Sequence, residues 1–152
     1  MVSRQVVAVN RSSSIYTLND LQDKVIAVQS TTKPESIFLE RKDSRIPVVR
    51  ELYSLEDREL IYTSLGKGYV DAIAAHETAI RQYMMDYDVE YRILSESLLT
   101  TGIGVAFSRY DGRGLQNRLS ETFEEMRADG TTAKILQKYL SDPYLEVDSL
   151  AE

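Results

Sequence analysis

Three short, nearly unbroken apolar runs constrain this chain more than anything else in it: QVVAVN at residues 5–10, VIAV at 25–28 and VDAIAA at 70–75. A run of four to six residues with no polar face suits a strand covered on both sides, because a half-solvated strand alternates and a helix needs more length. The residues flanking each run on its C-terminal side point the same way. After residues 5–10 comes the polar turn Arg11-Ser12-Ser13-Ser14, and Thr17-Leu18-Asn19-Asp20 then has the spacing of a helix cap answered by a carboxylate three residues on. After residues 25–28, Thr32 stands three before Glu35, with Pro34 in the first turn where a missing N–H costs no hydrogen bond. Residues 70–75 run straight into His76 and Glu77, and Ile80, Tyr83 and Met84 continue at helical spacing. Strand, turn and helix in alternation predict an α/β fold with a mainly parallel sheet flanked by helices and right-handed crossovers.

Between and beyond these units the pattern is weaker. Residues 46–49, IPVV, read as a short extended stretch confined to a sheet edge by Pro47. Ser54-Leu55-Glu56-Asp57 repeats the capping pattern and opens a helix that Gly66-Lys67-Gly68 ends. Residues 89–94 and 102–107 read as two further strands, and Leu115, Leu119, Phe123 and Met126 as one face of an amphipathic helix. Asp129-Gly130 stops that helix, and Thr131 caps another with Ile135, Leu136, Tyr139 and Leu140 on its inner face.

Several function classes are disfavoured. A net charge of −6 without a Lys/Arg stripe argues against a nucleic-acid partner or an anionic membrane surface. No apolar run approaches the roughly 20 residues of a membrane span. With no cysteine and one histidine there is no disulfide framework, thiolate nucleophile or usual zinc site, and no metal or cofactor is expected. Gly102-Ile103-Gly104 lacks the third glycine of a dinucleotide fingerprint, and no G-x-S-x-G is present, so the expectation is a chain that is not an enzyme.

In open α/β sheets ligands bind outside the carboxyl ends of the strands. Ser30, Thr31 and Thr32 follow one buried run and His76 follows another. The first cluster opens a helix, whose amides and positive end favour a carboxylate, with hydroxyls as additional donors. Capping alone also accounts for a threonine there, and ordinary hydrogen bonding for a lone histidine at a strand–helix junction.

The order of QVVAVN, IYTLNDLQDKVIAVQSTT, LGKGYVDAIAAHE, GIGVAFSR and EEMRADGTTAKILQKYL, over residues 5–141, resembles the bacterial extracellular, periplasmic-type solute-binding proteins that hold amino acids between two α/β lobes. The resemblance implies that residues 1–152 are one fragment of a bilobal domain: about 10–101 the second lobe, 5–9 and 102–108 hinge strands, and 115–141 helices returning to a first lobe outside the chain. It also implies that Thr31 and Thr32 form the hydroxyl-bearing turn for the ligand carboxylate. Ser30 stands where a glycine is usual, and His76 where amino-acid binders carry an aspartate for the ligand amine.

The implied function is non-catalytic binding or sensing of a small amino-acid-like or carboxylate solute, extracellular or periplasmic, with membrane tethering only through regions outside this chain. YRILSESLLTTGIGVAFSR followed by DGRGL is similar to sensory versions of the fold, so the input domain of a signal-transduction protein is the leading expectation. A component of an ABC amino-acid uptake transporter is the alternative, and a dehydratase-like enzyme using His76 as acid or base the second alternative. The implied partners are the solute and the first lobe, or a second copy of the fragment meeting it through the Leu119/Phe123/Met126 face.

Overall fold

The computed structural model describes residues 2–110 and 112–138. Its elements run β1 (Val2–Asn10), β2 (Val25–Gln29), α1 (Lys33–Glu40), β3 (Glu51–Leu55), α2 (Arg58–Gly66), β4 (Ala72–His76), α3 (Glu77–Tyr87), β5 (Tyr91–Gly102), α4 (Leu115–Ala128) and α5 (Thr131–Leu136). Two compact units are present among the described residues, one of residues 4–100 and one of residues 2–3 with 101–110 and 112–138.

The strands form one sheet in the order β3-β2-β4-β1-β5. β2 pairs in parallel with β3 and β4, whereas β1 runs antiparallel to β4. The sheet is therefore mixed, with its parallel part where helical crossovers join the strands. Alternation along the strands produces two buried faces, as expected where both sides are covered. Val7, Val9, Ile26, Val28, Ala72 and Ala74 meet Leu18, Leu21 and Phe38 on one side. Val6, Ala8, Val25, Ala27 and Ile73 meet Ile61, Leu65 and Ile80 on the other. The first face thus carries α1 and the second carries α2 and α3. At the entry to the parallel pair, Asp71 and Val25 clasp each other: the Asp71 N–H donates to Val25 O at 2.8 Å, and Oδ2 accepts from the Val25 N–H at 2.8 Å.

Several expected boundaries are corrected. Residues 46–49 form no strand. Ile46 is buried in the core, while the edge strand is Glu51–Leu55, mostly exposed and so lacking a continuous apolar signal. That strand absorbs Ser54 and Leu55, so α2 is capped by Asp57, whose Oδ1 accepts from the Glu59 N–H at 2.8 Å. The segment after Thr17 makes only a 3-10 turn, Asn19–Leu21, and Asp20 turns back to accept from the Tyr16 and Thr17 amides at 2.9 Å each. Residues 89–94 and 102–107 are not two strands. One long strand ends at Gly102, and the hinge-like strand expected over 102–108 is absent, because glycines at 102 and 104 weaken a ladder and Ile103 and Val105 stay exposed.

In the second unit α4 packs on α5, with Gly130 rather than Thr131 at the cap of α5 and Asp129 Oδ1 accepting from the Thr131 N–H at 2.8 Å. Leu119, Phe123, Met126, Ile135 and Leu136 line an apolar groove of about 610 Å³. Tyr139, Leu140 and Asp142-Pro143 lie outside the described residues.

Candidate functional site

The chain leaves β2 in two directions. It crosses through α1 to β3 on one side, then through α2, on the opposite face, to β4 on the other side. Such a reversal opens a crevice above the carboxyl ends of the two strands flanking it, β2 and β4. The parallel register pairs Ile26 with Ala72 and Val28 with Ala74, so two residues further on Ser30 stands level with His76. By strand alternation both continue the face that packs on α1. The fold thus brings the two predicted clusters to one edge, on adjacent strands.

The corner between β2 and α1 is tight. The Ser30 N–H continues the ladder by donating to Leu55 O at 2.9 Å, and Thr31 then adopts φ +61°, a left-handed conformation uncommon for a β-branched residue. The Thr31 N–H donates to Glu35 Oε2 at 2.6 Å, so the reach-back bond lands one residue earlier than the capping spacing suggested. Thr32 occupies the cap with an extended backbone, but its hydroxyl donates to Gln29 O at 2.5 Å instead of accepting from the first turn. The chain therefore fixes two of the three hydroxyl residues by internal bonds. Ser30 is half-buried, and its hydroxyl has no bond to the described residues.

At the neighbouring corner β4 passes into α3 with no intervening residue, and His76 is both strand end and helix cap. Its Nδ1 lies 2.6 Å from Thr78 Oγ1. Directly after it, Glu77 is the one buried charged residue among the described residues. Arg4 Nη1 of β1 lies 3.0 Å from Glu77 Oε2, and Arg81 donates through Nε and Nη2 to Oε1 at 2.9 and 2.7 Å. Arg81 stands four residues after Glu77 and could be anticipated from helix spacing. Arg4 could not, since it meets Glu77 only through the β1–β4 pairing that sets Gln5 opposite His76.

Chemically, the edge offers a helix N-terminus, hydroxyls and an imidazole, and its nearest carboxylates are engaged: Glu35 by an amide, Glu77 by two guanidiniums. Such a set suits holding an anionic group better than bond-making chemistry. Among the described residues no group of three or more His, Cys, Asp or Glu could hold a metal ion, and no helix is long and apolar enough to cross a membrane.

No family model matches the chain. It is 31% identical over 144 residues to the histidine-binding periplasmic protein of Escherichia coli, a match covering 90% of this chain and 54% of the relative. In structure it is similar to substrate-binding domain 2 of GlnP from Lactococcus lactis, with a TM-score of 0.69 at 20% identity, covering 93% of this chain and 60% of the other. It is also similar to an ancestral cationic amino acid solute binding protein, with a TM-score of 0.74 at 21% identity, covering 93% and 59%. The fold is that of a periplasmic-binding-protein-like lobe, a mixed sheet flanked by helices. The chain spans about half the length of the curated relatives it matches, so its likeness is to part of the periplasmic amino-acid-binding proteins.

Proposed function

We propose that this chain supplies one lobe of a bilobal, non-catalytic solute-binding domain, and that the crevice above β2 and β4 holds the carboxylate of a small amino-acid-like or carboxylate solute. The observation that carries the reading is the parallel register of β2 on β4, Val28 beside Ala74, which brings Ser30 and His76 to the same end of adjacent strands where the crossovers reverse, with the N-terminus of α1 opening there. Ser30 and Thr31 present hydroxyls and the first turn of α1 its amides to the carboxylate, Thr32 holds the turn through its own bond to Gln29 O, and His76 contacts the remainder of the solute. Histidine is the first solute to test, because the 31%-identical relative is a histidine-binding protein. An extracellular or periplasmic component of an amino-acid uptake system is favoured over an input domain of a signalling protein, because a structure 27% identical to the chain is the substrate binding protein of an amino acid ABC transporter. The apolar face of α4 and α5 is then the surface a second lobe covers.

Calorimetry with L-histidine and with simple carboxylic acids tests the reading, on residues 1–152 and on the longest product of the same reading frame. Binding to a bilobal product in the micromolar range, about −8 kcal/mol, is expected, with much weaker binding to this chain, which holds part of the contacts. His76→Ala should remove measurable binding. A bilobal product that binds none of these solutes, or a His76→Ala variant that binds as tightly as wild type, refutes the assignment. Whether the reading frame continues into a membrane helix and an output domain separates sensor from transporter component.

A further inference from the structure

We infer that Glu77 is a positioning residue for His76, acting through Arg4 and Arg81; the inference rests on His76 belonging to the binding crevice. Because β4 ends at His76 and α3 begins at Glu77, one residue's dihedrals, φ −64° and ψ 132°, set both the exit of the helix and the direction of the His76 Cα–Cβ bond. With only two soft backbone torsions per residue, the base of the side chain follows the seat of the first turn of α3, and χ1 and χ2 are what the ring's own contacts must fix. The ring is bound to that same turn, Nδ1 to Thr78 Oγ1.

What seats the turn is the Glu77 carboxylate. One oxygen is held by Arg4, on the strand that pairs with β4, and the other by Arg81, one turn along α3. The corner is thus clamped from the sheet and from the helix at once. A buried ion pair adds little net stability over a well-packed apolar alternative, which leaves its geometry as the larger consequence.

The chain has one histidine, so long-range proton–nitrogen NMR reads its ring without ambiguity. Spectra of all variants are compared at one pH, near 8. Wild type should show one dominant tautomer, the ring being held in a single orientation against the first turn of α3. Glu77→Gln and Arg4→Met should shift the ring nitrogens toward a mixture while circular dichroism and cooperative unfolding show a folded chain, and Arg4→Lys should restore most of the wild-type pattern. In the bilobal product, L-histidine affinity should fall about tenfold in the first two variants, the loss of one charge-assisted hydrogen bond. A folded Glu77→Gln or Arg4→Met chain with the wild-type imidazole spectrum overturns the inference. Arg4 is 25% exposed, so Arg4→Met keeps the test decisive if Glu77→Gln does not fold. The NMR arm uses the solute-free chain and is independent of any binding. Binding lost in His76→Ala but intact in Glu77→Gln and Arg4→Met overturns the positioning role alone, whereas intact binding in His76→Ala overturns the functional reading.

Discussion

Replacing Thr31 with glycine should make the chain more stable and its proposed site weaker. Thr31 sits at φ +61° between a residue still in the sheet ladder and the cap of α1. The left-handed region costs an L-residue about 1–2 kcal/mol, and a β-branched side chain belongs at the upper end. Glycine removes that cost but gives up about 0.5–1 kcal/mol through the freedom it gains in the unfolded chain. Thr31 is exposed, so little packing is lost, and the 2.6 Å bond to Glu35 comes from its amide and survives the change. The difference is a gain of about 0.5–1 kcal/mol, or about 1–4 °C in Tm for a chain of this size. Urea unfolding followed by circular dichroism measures it, with the slope checked for equality between variants. Thr31→Ala is the control: it keeps a Cβ in the left-handed region and should gain much less. Glycine destabilising by more than about 0.5 kcal/mol, or alanine matching the glycine gain, would show that backbone strain is not what this corner stores. The same variant should bind solute several-fold more weakly in the bilobal product, since one hydroxyl hydrogen bond contributes about 1 kcal/mol.

The remaining expectations concern the scaffold. Phe38→Ala, which empties the contact between α1 and the sheet, should cost about 3–5 kcal/mol in urea unfolding, and a change under about 1 kcal/mol would deny Phe38 its core role. A Cβ on Gly66 would stand 2.9 Å from the Tyr91 hydroxyl, which donates to Tyr62 O at 2.9 Å. Gly66→Ala should therefore be neutral or destabilising alone yet stabilise by about 0.5–1 kcal/mol in a Tyr91→Phe background, and additive effects in the double-mutant cycle would refute the contact. Amide bonds from Tyr16 and Thr17 hold the Asp20 carboxyl below its ordinary value, so the stability it contributes is present above the unfolded value of about 3.9 and lost as pH falls through the folded one. Asp20→Asn should accordingly be less stable than wild type near neutrality and converge with it in acid, and parallel stability–pH curves would contradict this.

What could be read from the sequence divides along burial. β1, β2 and β4 are covered on both faces, and their apolar runs announce them. Of the edge strands, β3 was hidden and β5 was legible only at its start, for the opposite reason. β3 carries Glu51, Tyr53 and Ser54 into solvent, while Ile46, Pro47, Val48 and Val49 look more strand-like but lie in a loop that drops Ile46 into the core. β5 breaks its pattern at Ser95-Glu96-Ser97, yet Leu94 and Leu98 are both buried, and Glu96, on their side of the strand, accepts from the Leu18 N–H at 2.6 Å. A polar residue there does not end the strand, because a loop covers the edge and supplies its partner.

The candidate site divides differently, between residues that announce a position and contacts that fix an orientation. Ser30–Thr32 and His76 were visible because each comes directly after a buried run, and the fold rule for open α/β sheets says that such positions face the crevice. Their hydrogen bonds were not visible. The spacing of Thr32 and Glu35 is that of a reciprocal cap, but the left-handed Thr31 displaces the carboxylate's partner by one residue and turns the Thr32 hydroxyl into a donor. Arg4 was hidden altogether: no local pattern relates it to Glu77, 73 positions later, and only the antiparallel register of β1 on β4 brings them together. A site of this kind is located by local sequence and tuned by pairings that exist only once the sheet has formed, so substitutions at Arg4 or Glu77 should alter how the site performs without moving where it is.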